Sequence, residues 1–169
     1  STFFASAITG VVNAVYNQAN MVLIVLDNST TAMTGHQPHP GTGQTVMGEI
    51  VQKINIEQVL RGIGVTEIET INPLELEASV SCVKRMAEKS GVRAIIFKAP
   101  CIAVTKPKAP LHVDQDSCIG CKKCIRDLGC PAIVMNDGKI CIDASMCTGC
   151  HLCSQVCPVC AIAGGDDHE

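Results

Sequence analysis

Hydrophobic positions along the first two thirds of the chain predict alternating helices and strands. Residues 3–17 combine apolar and small side chains in a helical pattern, and residues 19–26 form a continuous apolar run rich in Val and Ile. A short apolar run of this kind is typical of a buried parallel strand. The later patterns predict two more helices and two more strands, over 56–62, 74–89, 67–71 and 92–98 respectively. This order predicts an α/β fold with a parallel sheet.

The helix predicted over 74–89 has the clearest boundaries. Pro73 stands immediately before it, in a position that proline tolerates, and Gly91 follows its last turn. We expect the apolar stripe that packs on the sheet to consist of Leu74, Ala78, Cys82 and Met86.

A long polar loop separates the first predicted strand from the next helix. It covers residues 28–48 and is rich in Gly and Pro at its centre. Loops of this length are usually functional or disordered, so this segment is a candidate for part of a site.

Composition excludes several classes of function. The 169 residues carry a formal net charge of −3, with one Tyr, three Phe and no Trp. We expect no nucleic-acid partner, because the chain lacks both a basic surface and stacking side chains. We also expect no membrane span, since the longest apolar stretch, residues 21–26, is too short to cross a bilayer.

Cysteine usage is the unusual feature of the composition. Most of the twelve cysteines lie between Cys118 and Cys160. A secreted disulfide scaffold would spread its cysteines through a small, loop-rich chain. The observed clustering indicates metal binding in a reducing compartment, and we therefore expect a cytoplasmic protein.

A short Lys/Pro-rich stretch over residues 105–110 predicts a linker. Residues 1–110 carry nine basic and eight acidic groups, whereas residues 111–169 carry four basic and eight acidic groups. Because the composition changes at this stretch, we predict two domains, 1–110 and 111–169.

The second predicted domain is an internal repeat. Residues 111–124 align with residues 140–153 at an offset of 29, so that Asp114 matches Asp143 and three cysteines of each copy coincide. Each copy then continues to a Cys-Pro pair. We predict that each copy is a strand, a Cys-x2-Cys-x2-Cys loop and a short helical turn, and that the two copies form a pseudo-twofold domain.

The Cys-x2-Cys-x2-Cys spacing suits three corners of a cubane [4Fe–4S] cluster. In two-cluster ferredoxins the fourth ligand, the Cys of the Cys-Pro pair, belongs to the other cluster. We therefore predict an α+β bacterial-type ferredoxin domain with one cluster on Cys118, Cys121, Cys124 and Cys157 and a second on Cys147, Cys150, Cys153 and Cys130. Structural zinc is the alternative, but a third in-register cysteine has no role in a four-ligand zinc site.

Two departures from the repeat have simple structural explanations. The first copy has two extra residues between its third cysteine and Cys-Pro, which lengthens the helical turn without removing a ligand. The remaining cysteines have no repeat-matched ligand, and we expect most of them to be small buried hydrophobes: Cys82, Cys101, Cys141 and Cys160.

The first domain resembles a thiamine diphosphate site. Residues 1–4 (STFF) and 26–30 (LDNST) resemble a motif that starts Gly-Asp-Gly or Gly-Asp-Ser and ends near an Asn. With the loop Ser29–Gly43 and the Cys-rich tail, the chain resembles the C-terminal portion of the large, alpha subunit in the indolepyruvate group of the 2-oxoacid:ferredoxin oxidoreductase family. The chain would then begin at the third residue of the motif. This agrees with the order of predicted elements, because a βαβ sheet normally begins with a strand and none is predicted before the first helix.

This resemblance implies a partial α/β thiamine diphosphate-binding domain. In the family, Mg²⁺ takes oxygen ligands from the motif Asp, the Asn side chain and a carbonyl two residues later. Carried over, Asn28 supplies a side-chain oxygen and Thr30 a carbonyl, while Ser1 and Thr2 lie beside the diphosphate. The Asp would precede Ser1. Taken alone, Asn28 is better explained as a turn residue at a strand end.

Two histidines lie in the segment Gly-His-Gln-Pro-His-Pro-Gly of the long loop. By resemblance this loop covers the cofactor, where a histidine contacts substrate or moves a proton. We predict a catalytic role for His36 first and for His39 second. The alternative is a loop histidine without chemistry.

The resemblance implies oxidative decarboxylation of a 2-oxoacid, such as indolepyruvate or another arylpyruvate, to an acyl-CoA. Thiamine diphosphate carries the organic chemistry, coenzyme A takes the acyl group, and electrons pass through two [4Fe–4S] clusters to an external ferredoxin. Another subunit, or the upstream part of the same subunit, must complete the thiamine site. The alternative is a stand-alone two-cluster electron carrier with an α/β docking domain, and a weaker one is a zinc-stabilised interaction module.

Overall fold

A computed structural model describes residues 2–164 of the chain. The chain divides into two compact units, Ser1–Val104 and Thr105–Glu169. Within the described residues, no helix is long and apolar enough to cross a membrane.

The first unit contains a three-stranded parallel sheet. Its strands are β1 (Met21–Asp27), β2 (Glu67–Ile71) and β3 (Val92–Lys98), in the order β1-β3-β2. Strand β3 is central and aligns Val92 with Met21 and Arg93 with Glu67. This topology confirms the predicted α/β fold with a parallel sheet.

Helices lie on both faces of this sheet. A π-helical turn (Phe3–Ala7) leads into α1 (Ile8–Tyr16), and α2 (Ile56–Ile63) follows the long loop. Val11 of α1 and Leu60 of α2 pack with Val25, Ala94 and Ile96 on one face. On the other face, Cys82 and Met86 of α3 (Leu76–Glu88) pack against Ile95. The two faces of β3 are covered because its side chains alternate between them.

Helix α3 differs from its prediction in its start and in its buried stripe. Asn72 holds residues 72–75 in a turn, since its side-chain oxygen accepts the Leu74 N–H at 3.1 Å and its carbonyl accepts the Ser79 hydroxyl at 3.3 Å. The helix therefore begins at Leu76 rather than at Leu74. The predicted stripe was wrong for Leu74 and Ala78, which are exposed; Ser79, Cys82 and Met86 are the buried positions.

Strand β1 is also less buried than its apolar sequence predicts. Val25 is buried against α1 and α2, whereas Ile24 is 48% exposed and Leu26 is 75% exposed. Within the described residues β1 pairs only with β3. The prediction of a fully buried strand was therefore wrong for Ile24 and Leu26, because their face near the carboxyl end of β1 has no covering side chains among the described residues.

The second unit repeats one strand–loop–helix–strand arrangement. The first copy contains β4 (Leu111–Val113), α4 (Lys123–Leu128) and β5 (Ile133–Asn136), and the second contains β6 (Lys139–Ile142), α5 (Leu152–Val156) and β7 (Ile162–Gly164). Strand β4 pairs with β7, and β5 pairs with β6, both antiparallel. Each pair joins one copy to the other, so the two copies interlock. This arrangement confirms the α+β ferredoxin-like fold.

Symmetric hydrogen bonds continue the two strand pairs. The Asp114 N–H donates to the Ala161 carbonyl and the Asp143 N–H donates to the Ala132 carbonyl, both at 2.8 Å. Each bond again crosses from one copy to the other. The start of each cysteine loop is therefore anchored to backbone of the opposite copy.

Candidate functional site

The turn before each cysteine loop is built by an aspartate. The Asp114 carboxylate accepts the Asp116 N–H at 3.1 Å, and the Asp143 carboxylate accepts the Ser145 N–H at 2.9 Å. The Cys118 and Cys147 N–H groups each donate to the carbonyl of the preceding aspartate at 3.0 Å. The matched aspartates of the repeat thus place the first cysteine of each loop.

Four cysteines line one cavity in the second unit. Cys118, Cys121 and Cys124 come from the first copy, and Cys157 comes from the second. Apolar side chains, including Ile119, Ile140 and Ile162, line the rest of the cavity, whose total empty space is about 320 Å³ including its opening to solvent. The sequence-predicted set for the first cluster is therefore brought to one place.

The second predicted set is also brought together. Burial, followed by the nearby charges of Cys150, Cys147 and Cys130, raises the pKa of the Cys153 thiol to about 11. In the first set, burial is the main cause of a raised pKa at Cys124, and Cys121 and Cys157 contribute. In each case one of the interacting thiols comes from the opposite copy.

The thiols of the predicted ligand sets lie around open space and do not converge on one position. Within residues 2–164, no group of three or more His, Cys, Asp or Glu side chains converges on a position for a single metal ion. A cubane cluster brings its own inorganic core and takes one thiolate at each corner. A soft sulfur donor set in an apolar cavity fits such a cluster.

Backbone amides also point at two of the sulfur atoms. The Leu111 N–H donates to Cys147 Sγ at 3.4 Å, and the Ala161 N–H donates to Cys157 Sγ at 3.2 Å. Hydrogen bonds to sulfur favour the thiolate and, in an iron–sulfur site, influence the reduction potential.

The four cysteines outside the repeat pattern have different environments. Cys82 is fully buried, and burial followed by its hydrogen bond with Glu69 raises the pKa of its thiol. Cys101 and Cys141 are half-buried and Cys160 is exposed. The expectation of small buried hydrophobes was therefore wrong for most of this group. Cys160 lies in a turn with φ of +53°.

The predicted Mg²⁺ ligands lie in a turn at the carboxyl end of β1. The Asn28 side-chain oxygen accepts the Thr30 N–H at 3.3 Å, and the Asn28 carbonyl accepts the Cys101 N–H at 3.0 Å. Thr30 is buried and Thr2 is exposed. Ser1 lies outside the described residues. The structure thus brings Asn28 and Thr30 together at the edge of the sheet where α/β folds bind ligands.

The two loop histidines differ in how firmly they are held. His36 is exposed in a turn with φ of +62°. His39 is half-buried beside Phe4, with ring centroids 5.8 Å apart, and its Nδ1 accepts the Gly41 N–H at 3.1 Å. Partial burial lowers the pKa of the His39 imidazole, although Asp27 opposes the shift. Because Nδ1 accepts this hydrogen bond, the ring proton of neutral His39 lies on Nε2.

A larger cavity, with about 990 Å³ of empty space including its opening to solvent, lies beside these residues. It opens at the carboxyl ends of the three strands and at the start of α2, and its polar lining includes Asp27, Lys53, Thr70 and Lys98. Sequence analysis did not identify this cavity, because its walls come from segments far apart in the chain. Its lining does not include Asn28, Thr30 or His36.

Two family models match the chain. Residues 1–97 match the C-terminal TPP binding domain of thiamine pyrophosphate enzymes, and residues 111–158 match the 4Fe-4S dicluster domain. The chain therefore belongs to the thiamine pyrophosphate enzymes, with a 4Fe–4S dicluster domain on the same polypeptide. The cofactors of these two domains are thiamine diphosphate and iron–sulfur clusters, as the sequence predicted. Because the first unit matches a cofactor-binding domain, this match argues against the alternative in which the α/β domain only docks an electron carrier.

Comparison with individual proteins shows which thiamine pyrophosphate enzymes this chain is similar to. The chain is 44% identical over 164 residues to the indolepyruvate oxidoreductase subunit IorA of Methanothermobacter thermautotrophicus and 39% identical over 168 residues to that of Archaeoglobus fulgidus. Both alignments cover 96% of this chain. The relative from Thermococcus kodakarensis is 40% identical over 175 residues, covering 94% of this chain. These similarities confirm the resemblance noted from the sequence.

The chain spans about a quarter of the length of these curated relatives, 26–27%. No solved structure matches it at a significant level.

Proposed function

We propose that this chain is the C-terminal part of a thiamine diphosphate-dependent 2-oxoacid:ferredoxin oxidoreductase that acts on indolepyruvate or a related arylpyruvate. The reaction consumes the 2-oxoacid anion and coenzyme A, releases CO₂, acyl-CoA and one proton, and passes two electrons to external ferredoxin. The observation that carries the proposal is the combination of both cofactor domains in one chain, aligned over 96% of its length with IorA subunits.

The proposed division of labour follows the two predicted domains, 1–110 and 111–169. The first is the C-terminal part of the thiamine diphosphate-binding domain, and the second is the two-cluster electron relay. The family matches over 1–97 and 111–158 support this division.

The proposed ligands of the first cluster are Cys118, Cys121, Cys124 and Cys157. Their shared cavity supports this set. The proposed ligands of the second cluster are Cys147, Cys150, Cys153 and Cys130, and the influence of the other three on the pKa of Cys153 supports it. When bound, each cluster accepts and releases one electron.

Asn28 and Thr30 are the proposed Mg²⁺ ligands of this chain. Both lie at the carboxyl end of β1, and both offer the hard oxygen donors that Mg²⁺ prefers. The Asn28 side-chain oxygen already accepts one hydrogen bond and retains a second lone pair. Ser1 and Thr2 are proposed to lie beside the diphosphate. Thiamine diphosphate, when bound, supplies the carbon nucleophile and takes up the electron pair that decarboxylation releases.

His36 and His39 are the proposed proton-handling residues of the loop. The geometry favours His39, because the Gly41 N–H fixes its ring and leaves the Nε2 proton free to be donated. His36 would need the loop to rearrange, since its side chain is exposed.

Completion of the thiamine site is proposed to require the rest of the same subunit or another subunit. The exposed face of β1, with Ile24 and Leu26, supports further packing there. The concentration of cysteines supports a cytoplasmic location, where thiols stay reduced.

The test is an assay of the full-length subunit, produced with its partner subunit. We expect ferredoxin reduction that depends on indolepyruvate, coenzyme A and thiamine diphosphate. Cys124→Ser, at a proposed ligand, should abolish ferredoxin reduction, whereas Cys160→Ser, at an exposed thiol, should not. Clusters that load and accept electrons in a protein that binds no thiamine diphosphate would instead favour the stand-alone electron carrier.

A further inference from the structure

The two cysteine loops are equivalent in sequence but not in surroundings. Gly120 and Gly149 occupy matched positions and have nearly the same backbone, with φ of +65° and +67°. A Cβ added at Gly120 would meet nothing within 4 Å. A Cβ added at Gly149 would lie 2.6 Å from the Ala109 carbonyl oxygen and 2.7 Å from the Lys108 Cβ. The segment before β4 therefore covers the second loop and leaves the first one open.

The same segment ends in a hydrogen bond to a sulfur of the second loop. Leu111, the first residue of β4, donates its N–H to Cys147 Sγ at 3.4 Å. Its side chain is buried and its backbone pairs with Gly164 in β7, so the amide is held in place. By contrast, the amide on Cys157 Sγ comes from Ala161, within its own local turn.

We propose that residues 108–111 are a positioning element that raises the reduction potential of the cluster held by Cys147, Cys150, Cys153 and Cys130. This proposal rests on the two-cluster function proposed above. Reduction adds one electron to a thiolate-bound cluster and forms or breaks no bond. An N–H donor on a ligand sulfur stabilises the added negative charge, so it favours the reduced form.

The role requires glycine at 149. A side chain there would displace the Lys108–Ala109 backbone and, with it, the adjoining Leu111 amide. Residues 108–111 would therefore act on the second cluster and leave the first one unchanged, because the amide on Cys157 Sγ of the first cluster comes from Ala161.

The first test compares Gly149→Ala with Gly120→Ala in the iron-loaded, full-length protein. Both substitutions strain a left-handed backbone equally, and only the first collides with residues 108–109. Potentiometric titration followed by electron paramagnetic resonance should show one of the two midpoint potentials lowered in Gly149→Ala and neither moved in Gly120→Ala. Equal shifts in both variants, or no shift in Gly149→Ala, would overturn the proposal.

The second test removes the N–H donor itself. Leu111→Pro deletes the donor at the first residue of a strand, where proline is tolerated. Leu111→Ala truncates the same side chain and keeps the donor. We expect the lower potential in Leu111→Pro alone; the same potential in both variants contradicts the role of the amide.

Iron and sulfide analysis of every protein separates the two levels of inference. Absence of two clusters from the wild-type protein would contradict the proposed function. Two clusters in every variant with unchanged reduction potentials would contradict only the role of residues 108–111.

Discussion

Cys157 of the second copy lines the same cavity as Cys118 of the first copy. It reaches this position because α5 ends at Val156 and the strand that follows, β7, pairs with β4 of the opposite copy. The chain direction after the helix therefore carries Cys157 away from its sequence neighbours Cys147, Cys150 and Cys153.

This relationship predicts the outcome of removing either Cys-Pro cysteine. Cys157→Ala should damage the cluster of Cys118, Cys121 and Cys124 and spare the other, and Cys130→Ala should do the reverse. Each variant should lose up to about four irons, one cubane cluster. Iron and sulfide content, with electron paramagnetic resonance of the remaining cluster, measures this.

Two serine variants serve as controls for that experiment. Cys141→Ser and Cys160→Ser should keep full iron content, because neither cysteine belongs to the matched sets. A loss of about four irons in either control would refute the repeat-based assignment.

Removal of iron is expected to unfold the second unit before the first. Its strands are three or four residues long, and its helices are five or six residues long. So small a core is stabilised substantially by metal–thiolate bonds. Hydrogen exchange during chelation should show lost protection in β4–β7 while β1–β3 stay protected. Retained protection of β4–β7 in the cluster-free protein would contradict this expectation.

Arg93 is expected to be the most sensitive cation of the first unit. It is buried, and it donates to the carbonyls of Met86 at 3.0 Å and Gly91 at 2.5 Å and to the Asn20 side chain. Arg93→Leu should lower the free energy of unfolding by about 2–4 kcal/mol, because it leaves these acceptors without their donor. Denaturant unfolding of the full-length protein measures the loss.

Arg61→Leu is the matched control for Arg93. Arg61 forms an exposed ion pair with Glu57 one helical turn away. Removal of such a pair should change the free energy of unfolding by less than about 0.5 kcal/mol. Equal losses of unfolding free energy in the two variants would contradict the structural role of Arg93.

Ionisation of the Glu69 carboxyl is expected to make the contact between β2 and α3 depend on pH. Its hydrogen bond with Arg85 lowers the pKa of the Glu69 carboxyl below its ordinary value of 4.5, and the Cys82 hydrogen bond acts in the same direction. The stabilisation is therefore complete above pH 4.5 and is lost as the pH falls through the lowered pKa of the folded state. The protection of α3 amides against hydrogen exchange, corrected for the intrinsic exchange rate at each pH, should fall over this range.

Glu69→Gln tests the origin of that loss of protection. The variant cannot titrate at this position, so its α3 amides should show a smaller change in protection between pH 5 and pH 3. An unchanged pH profile would assign the effect to other carboxylates.

Much of the architecture could be predicted from local patterns. Apolar runs and helix signals predicted the order of elements in the first unit, and the repeated cysteine spacing predicted the ferredoxin-like unit. These predictions succeed because strand and helix periodicity, and the reach of neighbouring cysteines within a loop, are short-range properties. The start of α3 was misjudged because the Asn72 turn depends on side-chain hydrogen bonds that apolar spacing does not reveal.

By itself, then, the sequence determined the α/β order, the twofold repeat and the types of donor that each half offers. Only the tertiary structure held His39 more firmly than His36 and covered Gly149 while leaving Gly120 open. These features arise from contacts between segments far apart in the chain or from backbone turns that bring a particular N–H to a particular side chain. Such contacts depend on how packed elements are oriented in three dimensions, which residue spacing does not encode.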